Sequence, residues 1–81
     1  MSRTEYAIHA DTAGYYTISV DGVAVGFACR NSSNPRVWEA WLHGQDRNYR
    51  VGGDHRTRRE AATELWINRY DCKNFRQGGG R

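Results

Sequence analysis

Hydrophobic and polar positions alternate along two runs, 15–20 and 23–29, on either side of Asp21-Gly22. A period of two marks a half-buried strand, and Asp-Gly favours a two-residue hairpin turn because both turn positions need positive φ. Such a turn pairs Val20 with Val23, Ile18 with Val25 and Tyr16 with Phe27. In that register six side chains share one apolar face, which Cys29 extends, while Thr17, Ser19, Ala24, Gly26 and Ala28 make a small, smooth opposite face. Upstream, Tyr6, Ile8 and Ala10 alternate in an expected edge strand that ends at the turn Asp11-Thr12-Ala13-Gly14. Downstream, Asn31-Ser32-Ser33-Asn34-Pro35 reads as a loop. Trp38, Ala40 and Leu42 then alternate with Val37, Glu39 and Trp41. After a turn at Gly44-Gln45-Asp46, a short strand is expected around Tyr49 and Val51.

The period then changes. Thr57-Arg58-Arg59-Glu60 fits a capping box, in which the Thr hydroxyl accepts the third helical N–H and the Glu reaches back to the cap. Helix propensity stays good to about Tyr70. At 100° per residue Ala61, Ala62 and Leu65 form one stripe that Cys72 continues, and paired alanines suit close approach to a sheet. Thr63, Trp66, Ile67 and Tyr70 cluster on another side, where solvent would favour charge. Either Trp66 flanks the core and Tyr70 folds back on the helix end, or the cluster makes a second contact, with the N-terminal strand or with a second subunit. The expected fold is therefore α+β: a three- to five-stranded antiparallel meander sheet with one C-terminal α-helix packed on one face. It forms a single domain over 1–73, followed by a Gly-rich tail over 74–81 that is expected to be disordered.

Length and composition fit this reading. At 81 residues there is room for one domain, and ten aromatic residues supply much of its core, each burying on the order of 150–250 Å². No apolar run approaches the roughly 18 residues of a membrane span, and the N-terminus lacks the apolar stretch of a signal peptide. The expectation is a cytoplasmic protein in which Cys29 and Cys72 are thiols. Charge is uneven: residues 1–46 hold three Arg against five acids, a balance of −2, whereas residues 47–81 hold eight Arg and one Lys against four acids, a balance of +5. The basic half fits either a polyanionic partner or a solvated helix face that keeps the protein soluble. Eleven of the twelve cations are Arg, a skew that codon bias in a GC-rich bacterium or its phage produces.

Candidate chemistry is sparse. His9, His43 and His55 lie on separate segments without a nucleophile motif and read as surface imidazoles. Cys29, His43, His55 and Cys72 are too far apart for the paired spacing of a zinc site; the cysteines read as small packed hydrophobes. Gly52-Gly53 precedes a helix start surrounded by Arg56, Arg58 and Arg59, which attracts anions, yet no G-x-x-x-x-G-K-[ST] loop is present. The chain is expected to be no enzyme, with no cofactor, no metal, no small-molecule substrate and no membrane partner.

Trp38-Glu39-Ala40-Trp41 and Thr57-Arg58-Arg59-Glu60-Ala61-Ala62, set in strands followed by one helix, resemble the arm-site DNA-binding domain of tyrosine-type phage integrases and the related plant ethylene-response domain. The resemblance spans roughly residues 15–70, without an integrase catalytic domain, and implies a free-standing phage-type accessory protein. It implies that the exposed sheet face enters the major groove of duplex DNA, which is wide enough for β-structure. Thr17, Ser19, Glu39 and Trp41 would then face the groove, Arg30 and Arg50 would lie near the sheet margins, and Arg58 and Arg59 would contact phosphate, with Arg56 adding to the basic half. The alternative is a protein-interaction module or homodimer, such as a phage protein that binds a host factor, using Trp41 on the smooth face and the Trp66, Ile67 and Tyr70 patch.

Overall fold

A computed structural model describes residues 6–75. Five strands run in chain order β1 (Tyr6–Ala10), β2 (Tyr15–Val20), β3 (Val23–Arg30), β4 (Trp38–His43) and β5 (Asn48–His55). Each pairs antiparallel with the next, so the sheet order equals the sequence order. Helix α1 (Arg58–Ile67) crosses one face, and a single 3-10 turn (Arg69–Asp71) ends it. The antiparallel α+β architecture is thus as the alternation and the capping box require.

The cap differs in one detail. Thr57 Oγ1 accepts from Glu60 N at 3.0 Å, but Glu60 Oε1 accepts from the backbone N–H of Arg56 at 2.8 Å, one residue before the cap. The α-helix also stops three residues short of Tyr70, because Asn68 turns back: its Nδ2 donates to Glu64 O at 2.8 Å.

The hairpin register holds only at its tip. Asp21 and Gly22 take φ of 53° and 80°, and Val20 pairs with Val23 as expected. Beyond Ser19–Ala24 the ladder shifts, and Ile18 opposes Gly26, leaving Val25 as an extra residue. This β-bulge sets Val25 and Gly26 against one partner, and it reverses the facing of everything that follows. Gly26 and Ala28, expected on the exposed face, lie buried under the helix. Phe27 and Cys29, expected in the core, lie on the open face beside Thr17 and Tyr15. The physical reason is space: Ala61 and Ala62 bring α1 close to the sheet, and Ala28 and Ala40, both 0% exposed, fit beneath it where Phe27 would not. A Cβ on Gly26 would stand 2.0 Å from the carbonyl oxygen of Trp41, so only glycine allows β3 and β4 to approach this closely.

A second irregularity shapes β5. Val51 opposes Ala40 and His55 opposes Trp38, so Gly52, Gly53 and Asp54 bulge outward, the glycines with φ of 74° and 69°. The Gly-Gly pair thus forms a bulge inside a strand and not a loop before a helix. His55, expected at the surface, is carried back into the sheet at 9% exposure, its Nε2 against Val51 O at 3.2 Å.

The core comprises Ile18, Val20, Val25, Trp38, Leu42 and Leu65 with the small residues between them. Cys72 joins it at 2% exposure, inward as expected, although it lies beyond α1 and the 3-10 turn and so not on a helical stripe. Phe75 also packs against this core, two residues past the expected domain end; of the tail, residues 76–81 lie outside the described residues. No helix is long and apolar enough to cross a membrane among the described residues.

Candidate functional site

The face of the sheet opposite α1 is not smooth. Because of the bulge, Tyr15 on β2, Phe27 on β3 and Trp41 on β4 stand in a row across three strands. Ring centroids are 5.8 Å apart for Tyr15–Phe27 and 6.2 Å for Phe27–Trp41, the latter pair nearly parallel at 8°. His43 adds a fourth ring 6.0 Å from Phe27. No element among the described residues covers this row, and Tyr15 is 47% exposed. Thr17 and Ser19 share the face as expected, and Thr17 Oγ1 donates to Asp11 at 3.4 Å.

Beside the row lies a polar network centred on Glu39. Its Oε1 accepts from Trp41 Nε1 at 2.8 Å and from the Cys29 thiol at 3.7 Å, and its Oε2 accepts from Asn31 Nδ2 at 2.6 Å. Arg50 Nη1 is 3.6 Å from the same oxygen, while its Nη2 binds Asp54 at 2.6 Å. The Trp41 hydrogen bond is the main force holding the Glu39 carboxyl below the usual range; burial opposes it, and Asn31, Arg50 and Cys29 reinforce it. Burial and the neighbouring Glu39 charge push the Cys29 thiol up, away from the thiolate a nucleophile needs.

Because Glu39 titrates lower in the folded chain than in the unfolded one, its ionised form stabilises the fold at neutral pH. That contribution is present above the unfolded carboxylate range and is lost as pH falls through the folded value. Acid titration followed by tryptophan fluorescence is expected to lose stability in this window, and Glu39→Gln to flatten that part of the profile. An unchanged profile would remove Glu39 as the organiser of Trp41.

The arginines separate into two groups. Arg50 is on the open face but neutralised. Arg30 sits at the sheet margin, its guanidinium 4.6 Å from the Trp38 ring centroid and its Nη1 bound to Pro35 O at 2.6 Å. Arg58 lies over Tyr16 at 4.4 Å and within 6.0 Å of Trp38, so Arg30 and Arg58 both stack on one aromatic pair at the end of the sheet, on the helix side. Arg56, Arg58 and Arg59 are exposed, and none of them forms an ion pair with another described residue. The basic helix start and the aromatic open face are therefore different surfaces.

The far side of α1 divides as well. Tyr6 Oη lies 3.2 Å from Thr63 Oγ1, which is the contact with the N-terminal strand, and Trp66 packs against the core. Ile67 and Tyr70 stay 56% and 49% exposed, Tyr70 between Arg69 at 4.5 Å and Phe75 at 5.4 Å.

The four residues weighed for zinc fall on opposite sides of the sheet: Cys29 and His43 on the open face, His55 and Cys72 in the interior. No three His, Cys, Asp or Glu side chains could hold a metal ion among the described residues. Sequence reasoning missed the Tyr15–Phe27–His43 part of the row; the bulge that creates it had no local signal apart from Gly26.

Fold and site define a small meander-and-helix domain with one helix-covered face and one open aromatic face. The chain matches no protein-family model, and no curated protein or solved structure is significantly similar to it.

Proposed function

We propose that this domain is a non-enzymatic docking module that binds a protein partner on the open sheet face. The partner presents apolar and cationic side chains to the aromatic row and its flanking carboxylates. The observation that carries this reading is the uncovered row Tyr15–Phe27–Trp41, with the cation beside Trp41, Arg50, already held by Glu39 and Asp54. Aromatic clusters of this kind form the energetic centres of protein interfaces. Asp11, Glu39 and Asp54 on or beside the face outnumber Arg50 and the marginal Arg30, so its charge suits a basic partner better than phosphate. Duplex DNA read through this face would lack the free cations that dominate DNA affinity.

Selection from a displayed random-peptide library tests the reading. Enriched peptides are expected to combine aromatic or aliphatic with basic residues. Trp41→Ala is expected to weaken them about 30-fold, as for a 2 kcal/mol hot spot, while Arg58→Ala/Arg59→Ala leaves binding intact. Peptides that bind the Trp41 variant equally well would sink it.

A second reading has one observation in its favour: Arg56, Arg58 and Arg59 at the helix start, which form no ion pair with another described residue, with Arg30 near Arg58. These suit phosphate contact from the helix side of the sheet. Gel shifts on random duplex DNA at two salt concentrations would then show steep salt dependence, reduced by about two in log–log slope in the Arg58→Ala/Arg59→Ala variant and unaltered by Trp41→Ala.

A further inference from the structure

A meander has two edges, and in this chain they are treated differently. The β5 edge carries the charges of Arg50 and Asp54 and is thrown outward by the Gly52–Gly53 bulge. Such devices block unwanted strand pairing. β1 has none of them: Tyr-Ala-Ile-His-Ala contains no Pro, Gly, Lys, Arg or acid, and its ladder with β2 is regular from Tyr6 to Ala10. No strand pairs with its outer edge among the described residues. Backbone N–H and C=O groups along it are a template for another strand.

We propose that two copies of this chain join through β1, antiparallel about a two-fold axis at Ile8, into one continuous sheet. The sequence of β1 is self-complementary in that register. Ile8 meets Ile8 of the second copy, Tyr6 meets Ala10, and Ala7 meets His9, so large residues oppose small ones and no formal charges oppose each other. Tyr6, Ile8 and Ala10 share the helix side with Val20, Ile18 and Tyr16. On that side the Tyr6 hydroxyl reaches Thr63 at 3.2 Å and Arg59 O at 3.4 Å. One turn beyond Thr63, on the same flank of α1, Ile67 is left 56% exposed. The apolar layer thus runs up to the strand edge, and β1 of the second copy extends it. Isologous two-fold pairing is the commonest form of homo-oligomer. An interface of one short strand and a helix flank falls in the weak class, with association expected in the micromolar range or above. This inference is independent of what binds the open face, but it sets two aromatic rows on one surface and makes any partner binding bivalent.

Sedimentation velocity on the full chain from about 10 μM to about 1 mM, a span that brackets a weak dimer, tests the proposal. The wild-type chain is expected to pass from one copy to two. Ala7→Glu combined with His9→Glu sets carboxylates opposite one another across the two-fold, and is expected to weaken association at least about tenfold. Both positions are exposed, so the far-UV circular dichroism of the single chain should be unchanged. Ala7→Glu combined with His9→Lys sets opposite charges in the same places and is expected to restore pairing. A wild-type chain that stays single throughout would overturn the proposal, as would a Glu/Glu variant associating as tightly as wild type or a Glu/Lys variant no tighter than Glu/Glu. A single wild-type chain whose β1 amides respond to an added extended peptide would assign the edge to a foreign strand and equally overturn it.

Discussion

Gly26→Ala is expected to lower the melting temperature by roughly 10–25 °C. The added Cβ would lie 2.0 Å from Trp41 O and 3.0 Å from Trp41 C, both backbone atoms in the middle of the sheet. Neither can rotate away as a side chain could, so β3 and β4 must separate or the bulge must shift. Overpacking of this kind costs about 3 kcal/mol at the upper end of its usual range, and each kcal/mol moves the midpoint of a domain this size by roughly 4–8 °C. Ala24→Val, on an exposed position of the same strand, is expected to stay within about 0.5 kcal/mol of wild type. Thermal unfolding followed by circular dichroism compares the two. A Gly26→Ala chain melting within about 3 °C of wild type would mean that the two strands do not approach as described.

Leu65→Ala is expected to cost about 2–5 kcal/mol, the range for emptying a fully enclosed aliphatic site. Leu65 is 0% exposed, and the other buried positions of α1, Ala61 and Ala62, are already minimal. Leu65 is thus the one large fully buried side chain of the helix, in one core cluster with Ile18, Val25 and Leu42, while Trp66 packs only partly buried against that cluster. A domain of this length has about 4–12 kcal/mol of total stability, so the variant should lose a large part of it and show a lower urea midpoint. Leu65→Met, which keeps the volume, is expected to cost less than about 1.5 kcal/mol. Equal losses for both substitutions would argue that shape, and not the filled volume, holds the helix down.

Much of this architecture was legible along the chain because its signals are local. Asp21-Gly22 specifies its own turn through positive φ, and the alternation of Trp38, Ala40 and Leu42 needs only the pleat of one strand. Thr57 caps a helix through residues three positions away. The Ala61–Ala62–Leu65 stripe identified the inward side of α1 by the same logic.

The candidate site was not legible in this way. Alternation across Val23–Arg30 is equally consistent with either facing once a single residue slips, and within the strand only Gly26 hints at where the slip occurs. The bulge at Val25 follows from partners distant in sequence: Trp41 O pressing on Gly26, and Ala61 and Ala62 needing small residues beneath them. The same tertiary contacts turned Phe27 and Cys29 outward, built the aromatic row, and enclosed His55 through the Gly52–Gly53 bulge. Charge followed a similar course, since a count of arginines does not reveal that Glu39 and Asp54 neutralise Arg50 while Arg58 stacks on Tyr16 at the far end of the sheet. Strands, turn and helix were thus written in neighbouring residues, whereas the surface left free for recognition was decided by close packing between segments that meet only in the folded chain.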